Sequence, residues 1–185
     1  MEERIIISGS GGQGIMLMGK ILAEACLKEN RQVTWMPAYG AEVRGGTAYC
    51  MVVISDEEIG SPYINEADIL VSMNEPSLYK FKKRLKKEGI LIVNSSLLNK
   101  LSAGRKARNA YPFSDIALGL GNIKVANMVA LGAYLALTKK SALKKNILRV
   151  IEEIAPPDKK GLVEINKKAL LTGAQLVSPH NARTQ

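Results

Sequence analysis

The opening of the chain restricts its fold more than any other stretch. Residues 4–8 are an isoleucine-rich run that ends in Gly9-Ser10-Gly11-Gly12-Gln13-Gly14. Directly after it, Ile15, Met18, Ile21, Leu22, Ala25 and Cys26 recur at helical spacing, and Gln32-Val33-Thr34-Trp35 reads as the next strand. Strand, glycine turn, helix, strand is a Rossmann-like βαβ unit. Such a unit opens a mostly parallel sheet covered by helices.

The rest of the chain extends this α/β pattern. Residues 36–46 read as a loop punctuated by Pro37, Gly40, Gly45 and Gly46, and the apolar run Thr47–Ser55 as a central strand. Residues 69–73 form another short buried strand. Asn74 can then cap a helix over residues 75–87, with Glu75 and Pro76 in its first turn, before a strand at 89–93. Beyond Asn94 the pattern turns helical, over residues 114–120, 122–137, 141–154 and 162–171, with Gly173 in the C-cap position. The expected architecture is a single three-layer α/β domain over residues 1–176 with a helical C-terminal portion. Residues 177–185 are a polar tail.

Composition removes several classes of function. The two cysteines, Cys26 and Cys50, lie far apart without a Cys-x-x-Cys, so no structural zinc or cysteine-held iron–sulfur cluster is expected within the chain. His180 is the single histidine, which argues against His-based metal or triad chemistry. The start, Met1-Glu2-Glu3-Arg4, lacks the basic and apolar regions of a signal peptide. The longest apolar stretch, at 128–137, is ten residues, too short to span a bilayer. A reducing, cytoplasmic setting is expected. Charge is divided unevenly: residues 1–78 hold 5 basic and 11 acidic side chains, residues 79–185 hold 21 and 6. A basic half of this kind suits a polyanionic ligand or an acidic partner surface.

Four groups of residues could carry function. Gly9, Gly11 and Gly14 satisfy G-x-G-x-x-G, which permits a tight turn and offers the N-terminus of a helix to an anion. The acidic ribose-binding residue of a dinucleotide fingerprint, expected about 20 residues further on, is missing, because Trp35 and Met36 stand there. Phosphate or pyrophosphate binding and a turn needed only for packing both remain open. In the second group, Tyr39, Gly40, Glu42, Arg44, Gly45 and Gly46 fall on a loop at a strand end, where ligand sites of such sheets lie. A surface turn with a weak ion pair is the plainer alternative. Third, Lys80, Lys82, Lys83, Arg84, Lys86 and Lys87 form a basic run expected on one helix. With nine aromatics in all and no recognisable module, that run reads better as a solvated face than as a nucleic-acid site. Fourth, the triplet Asn94-Ser95-Ser96 suits cap and turn duties, and Asn127, in an apolar run, suits a structural hydrogen bond more than ligand contact.

Taken in order, these stretches resemble a known family. The resemblance rests on Gly11-Gly12-Gln13-Gly14-Ile15, the segment from Tyr39 through Gly46, Ile54-Ser55-Asp56 and Ser61-Pro62. It continues through Met73-Asn74-Glu75-Pro76-Ser77-Leu78, Asn94-Ser95-Ser96 and Leu120 through Met128. Across residues 4–175 the chain is similar to the gamma subunit, or gamma domain, of 2-oxoacid:ferredoxin oxidoreductases. The resemblance implies one component of an enzyme that decarboxylates a 2-oxoacid, passes electrons to ferredoxin and transfers the acyl group to coenzyme A. Thiamine diphosphate, magnesium and the iron–sulfur clusters would then belong to alpha and beta subunits, with or without a small ferredoxin-like delta subunit. Gly11, Gly12, Gln13 and Gly14 would form the coenzyme A loop. Tyr39, Gly40, Glu42, Arg44, Gly45 and Gly46 would face the partners. The loop at 40–48 is most like 2-oxoglutarate-type members, ahead of pyruvate, branched-chain and indolepyruvate types. Neither nucleic acid nor membrane is an expected partner, and self-dimerisation of the isolated chain is left open. A free-standing nucleotide- or dinucleotide-binding module is the rival reading.

Overall fold

A computed structural model describes residues 2–39, 47–98, 109–156 and 160–177, the side chains of Tyr39 and Lys160 excepted. The strands are β1 (Glu2–Ser10), β2 (Gln32–Tyr39), β3 (Thr47–Ser55), β4 (Ala67–Ser72), β5 (Leu85–Asn94) and β6 (Ala110–Tyr111). The helices are α1 (Ile15–Leu27), α2 (Glu75–Phe81), α3 (Phe113–Gly119), α4 (Ala126–Leu137), α5 (Lys144–Ile154) and α6 (Lys160–Gln175). The six strands form one sheet in the order β2-β3-β1-β4-β5-β6. From β1 outward through β4, β5 and β6 every pairing is parallel. None of the helices among the described residues is long and apolar enough to cross a membrane.

The opening unit differs from expectation in one respect. β1 and β2 point the same way but do not pair, because β3 lies between them and runs antiparallel to both. The cause is chain length. β2 continues through Pro37 to Tyr39, leaving only residues 40–46 before β3. That connection is too short for a parallel crossover, which needs about a dozen residues or more. Pro37 is tolerated inside β2 because this strand is the sheet's edge.

The two faces of the sheet are covered unequally. Ile5, Ile7, Cys50, Val52, Ile54, Val71 and Ile92 point into the larger core, which α1, α3, α4, α5 and α6 close. Close approach of α1 is possible because Gly19 carries no side chain: a Cβ there would stand 2.4 Å from Cys50 Sγ and 3.0 Å from Trp35 Nε1. Ile6, Met51, Val53, Ala67 and Leu70 face the other way, and among the described residues Phe81 of α2 and Ile64 of the segment after β3 are the other buried members of their cluster.

Three further expectations need correction. α2 stops at Phe81; Lys82–Arg84 is a 3-10 turn and Leu85 already belongs to β5, opposite Ala67. The basic run therefore spans the end of a helix, a turn and the start of a strand, because strand pairing overrides the helical propensity of the lysines. Gly173 is not a cap but an interior residue of α6, which runs to Gln175. There, a Cβ would stand 1.9 Å from the Val129 carbonyl of α4. Finally, β6 was not anticipated, and the segment 123–125 before α4 is a separate 3-10 turn. The tail beyond residue 177 lies outside the described residues.

Candidate functional site

The C-terminal ends of β1, β4 and β5 come to one edge of the sheet, and the turn from β1 into α1 lies over it. Gly12 and Gly14 adopt positive φ, 88° and 71°, which glycine reaches without penalty. Gly14 is the N-cap of α1, no side chain caps this helix, and its first turn holds no acid. The free N–H groups and positive dipole end of a 13-residue helix thus open onto the glycine turn. A Cβ at Gly11 would meet nothing within 4 Å, so the outer wall of the turn is open.

A polar network fixes this turn from beneath. The Ser10 N–H donates to Gln13 Oε1 at 2.7 Å, and Gln13 Nε2 donates to the Met73 carbonyl at 3.3 Å. Gln13 therefore points inward and holds the loop on the end of β4. The same carbonyl accepts from Asn94 Nδ2 at 3.2 Å, which also donates to Ser114 Oγ at 2.8 Å. Asn74 caps α2 by accepting from the Ser77 N–H at 3.0 Å, and its Nδ2 donates to Ser10 Oγ. From the far side, Asn127 Nδ2 donates to the Gly14 carbonyl at 3.1 Å, while its Oδ1 accepts from the Met128 N–H at 2.9 Å. The buried amide of Asn127 thus has its structural partners, and they include the glycine turn itself.

Beside the turn opens a cleft of about 180 Å³ whose walls include Gly12, Gln13, Ser114, Leu97, Ile123 and Lys124. Leu97 and Ile123 are exposed large apolar residues, and Lys124 supplies a cation. Sequence reasoning gave no role to Leu97, Ser114 or Ile123, since only the fold brings them to Gly12. Tyr39 ends β2 opposite Ala48, which itself faces Gly9, so the following loop leaves from the same edge as the glycine turn. Gly40, Glu42, Arg44, Gly45 and Gly46 lie outside the described residues.

The family model for pyruvate ferredoxin/flavodoxin oxidoreductase matches residues 4–176. The chain belongs to this family. Ketoisovalerate oxidoreductase subunit VorA of Methanothermobacter thermautotrophicus is 37% identical over 174 residues, covering 94% of this chain and 36% of the relative. The chain therefore spans about a third of the length of the VorA relatives it matches. 2-Oxoglutarate synthase subunit KorC of Methanocaldococcus jannaschii is 37% identical over 155 residues, covering 80% of this chain and 83% of the relative. Among solved structures, the gamma subunit of a keto/oxoacid ferredoxin oxidoreductase from Geobacter sulfurreducens PCA superposes with a TM-score of 0.78 at 32% identity. That superposition covers 95% of this chain and 98% of the other. A 2-oxoglutarate:ferredoxin oxidoreductase from Magnetococcus marinus, solved with 2-oxoglutarate, coenzyme A and succinyl-CoA bound, shares the fold, with a TM-score of 0.81 at 23% identity over 95% of this chain and 31% of that one.

Elsewhere this member of the oxidoreductase family offers less chemistry. A larger cleft, about 540 Å³, opens at the opposite end of the sheet. Much of its charge is already paired: Lys140 with Glu3, and Lys86 with Asp68 at 2.6 Å. Burial holds the Lys140 ammonium below the ordinary lysine range. Both cysteines are buried and free, and burial pushes each thiol up to about 12, so neither is a ready nucleophile at neutral pH. Among the described residues no group of three His, Cys, Asp or Glu side chains could hold a metal ion.

Proposed function

We propose that this chain is the gamma component of a multi-subunit 2-oxoacid:ferredoxin oxidoreductase, working in the cytoplasm. The observation that carries the reading is the match to KorC over 80% of this chain together with the near end-to-end match to a gamma subunit of known structure. In this reading, the companion subunits (alpha and beta, with or without a small ferredoxin-like delta subunit) hold thiamine diphosphate, magnesium and the iron–sulfur clusters. The gamma chain supplies part of the coenzyme A site. Backbone N–H groups of Gly11, Gly12 and Gly14 and the first turn of α1 receive a phosphate of coenzyme A, and Lys124 adds attraction. Gln13 holds the turn in place rather than touching ligand. Tyr39 and the loop through Gly40, Glu42, Arg44, Gly45 and Gly46 face the partner subunits. The domain ends near residue 176.

The substrate is a 2-oxoacid, with 2-oxoglutarate the first to test. A branched-chain 2-oxoacid is the second reading, favoured by the VorA relatives at the same 37% identity as KorC. The test is reconstitution with companion subunits, assayed as coenzyme A-dependent reduction of a viologen dye. The panel is 2-oxoglutarate, 2-oxoisovalerate, pyruvate and indolepyruvate. No turnover by the isolated chain and turnover of one acid by the complex is the expected result. Full activity of the companions without this chain would overturn the assignment.

A further inference from the structure

We infer that the end of α2 and the turn after it form a docking surface for an acidic protein surface, that of a companion subunit in the same assembly. The inference rests on the gamma-component reading and goes beyond it by naming where, and by what chemistry, a companion is held.

The first observation concerns a run of cations, two of which have no ion pair or ring contact among the described residues. Lys80, Lys82, Lys83, Arg84, Lys86 and Lys87 follow one another through three elements. Lys86 is paired with Asp68, and Arg84 donates to the Asn65 carbonyl at 3.2 Å while lying 4.9 Å from the centre of the Tyr63 ring. Lys80 lies over the Tyr49 and Phe81 rings at 5.6 and 5.7 Å. The exposed side chains of Lys82 and Lys83 have neither an ion pair nor a ring contact among the described residues. A pair of neighbouring lysines with no anion paired to them among the described residues is a source of long-range attraction for an acidic surface.

The second observation is what surrounds these cations. This is the thinly covered face of the sheet, where Met36, Tyr49 and Leu91 stay only partly buried. Tyr63 and Tyr79 are 51% and 62% exposed here. Aromatic residues, Met and Arg are the types enriched at protein interfaces, and the rim around them is polar. The tyrosines supply contact area and the lysines set direction and charge. The opposite face of the sheet is closed by five helices.

Lys82→Glu/Lys83→Glu is the informative variant, because both side chains are exposed and neither makes an ion pair or ring contact among the described residues. Its thermal melt should match the parent's. Binding of the labelled full chain to purified companion subunits is then measured by fluorescence anisotropy at 50 and 500 mM salt. The parent should bind more weakly at high salt, the variant about tenfold more weakly than the parent at low salt, and the two should converge at high salt. Lys82→Gln/Lys83→Gln should fall between them. Companion binding that ignores both salt and charge reversal would overturn the docking surface while leaving the gamma assignment intact. No companion binding by the parent at either salt would overturn the assignment itself. A parent that shifts an oligonucleotide at low salt, and loses that shift in the variant, while companion binding stays unchanged, would overturn the proposal in favour of nucleic acid.

Discussion

Gly11 and Gly14 belong to one turn but meet opposite surroundings, which makes them separable probes of structure and ligand. Gly14 has φ 71°, and a Cβ on it would stand 2.3 Å from Asn127 Nδ2. Left-handed backbone alone costs a residue with a side chain about 1–3 kcal/mol, and Asn127 would also lose its grip on the turn. Gly14→Ala should therefore show a clear loss of stability in urea unfolding. Gly11→Ala should stay within about 0.5 kcal/mol of the parent, because its Cβ enters open space. In the reconstituted enzyme the same Gly11→Ala should raise KM for coenzyme A about tenfold, a loss of about 1.4 kcal/mol, with KM for the 2-oxoacid unchanged. An unchanged KM for coenzyme A would remove the turn from the ligand site. The buried thiols give a second residue-scale test. Their pKa values rise from the ordinary 9.0 to about 12 in the folded chain. Below about pH 9 their protonated state costs neither form anything. Above it the unfolded chain ionises first, so their stabilising contribution is lost as pH climbs from 9 toward 12. The melting temperature should fall over that window, and less steeply in a Cys26→Ala/Cys50→Ala variant compared at each pH. In the native chain at pH 8, a thiol reagent should react slowly with both.

At the scale of elements, the pairing of α4 with α6 depends on two glycines at their crossing. A Cβ on Gly132 would stand 2.0 Å from the Leu170 carbonyl, and one on Gly173 would stand 1.9 Å from the Val129 carbonyl. Each obstacle is backbone, so the helices themselves must separate. Either substitution to alanine should cost about 3 kcal/mol or more, whereas Gly161→Ala, on the same helix but with no neighbour within 4 Å, should be neutral or stabilising. Denaturant midpoints of the three variants decide this. The same glycine shows where the sequence could be read and where it could not. Asn74 was legible as a cap because capping is local chemistry: one side chain, the next three residues, a proline in the first turn. Gly173 at the end of an apolar pattern looks like a stop signal, and only the arrival of α4 turns it into a contact point. The direction of β3 was not legible for a related reason. Its apolar run showed an interior strand, but its direction depended on how far β2 continues past Trp35, and Pro37 disguised that continuation. At the site, the glycine turn was legible from spacing, whereas Leu97, Ser114 and Ile123 reach it through long-range packing that no local pattern encodes.

On the scale of the whole molecule, α2 links the two proposed surfaces. Its N-cap, Asn74, donates to Ser10 in the glycine turn, and its last residue, Phe81, leads straight into Lys82 and Lys83. The helix has seven residues, about 10 Å at 1.5 Å per residue. That separation sits at the limit beyond which perturbations usually add independently. Nothing in the packing gives α2 a second position: Leu78 and Phe81 are buried and its cap is held by two hydrogen-bonding partners. A rigid spacer of this kind keeps ligand binding and docking apart instead of relaying one to the other. In the reconstituted complex at a salt concentration where both assemble, Lys82→Glu/Lys83→Glu should leave the dissociation constant for coenzyme A within about twofold of the parent. Amide exchange should show coenzyme A slowing residues 11–18 to the same degree in both proteins. A loss of coenzyme A affinity of about tenfold in the variant would show instead that α2 has two positions and that docking selects between them.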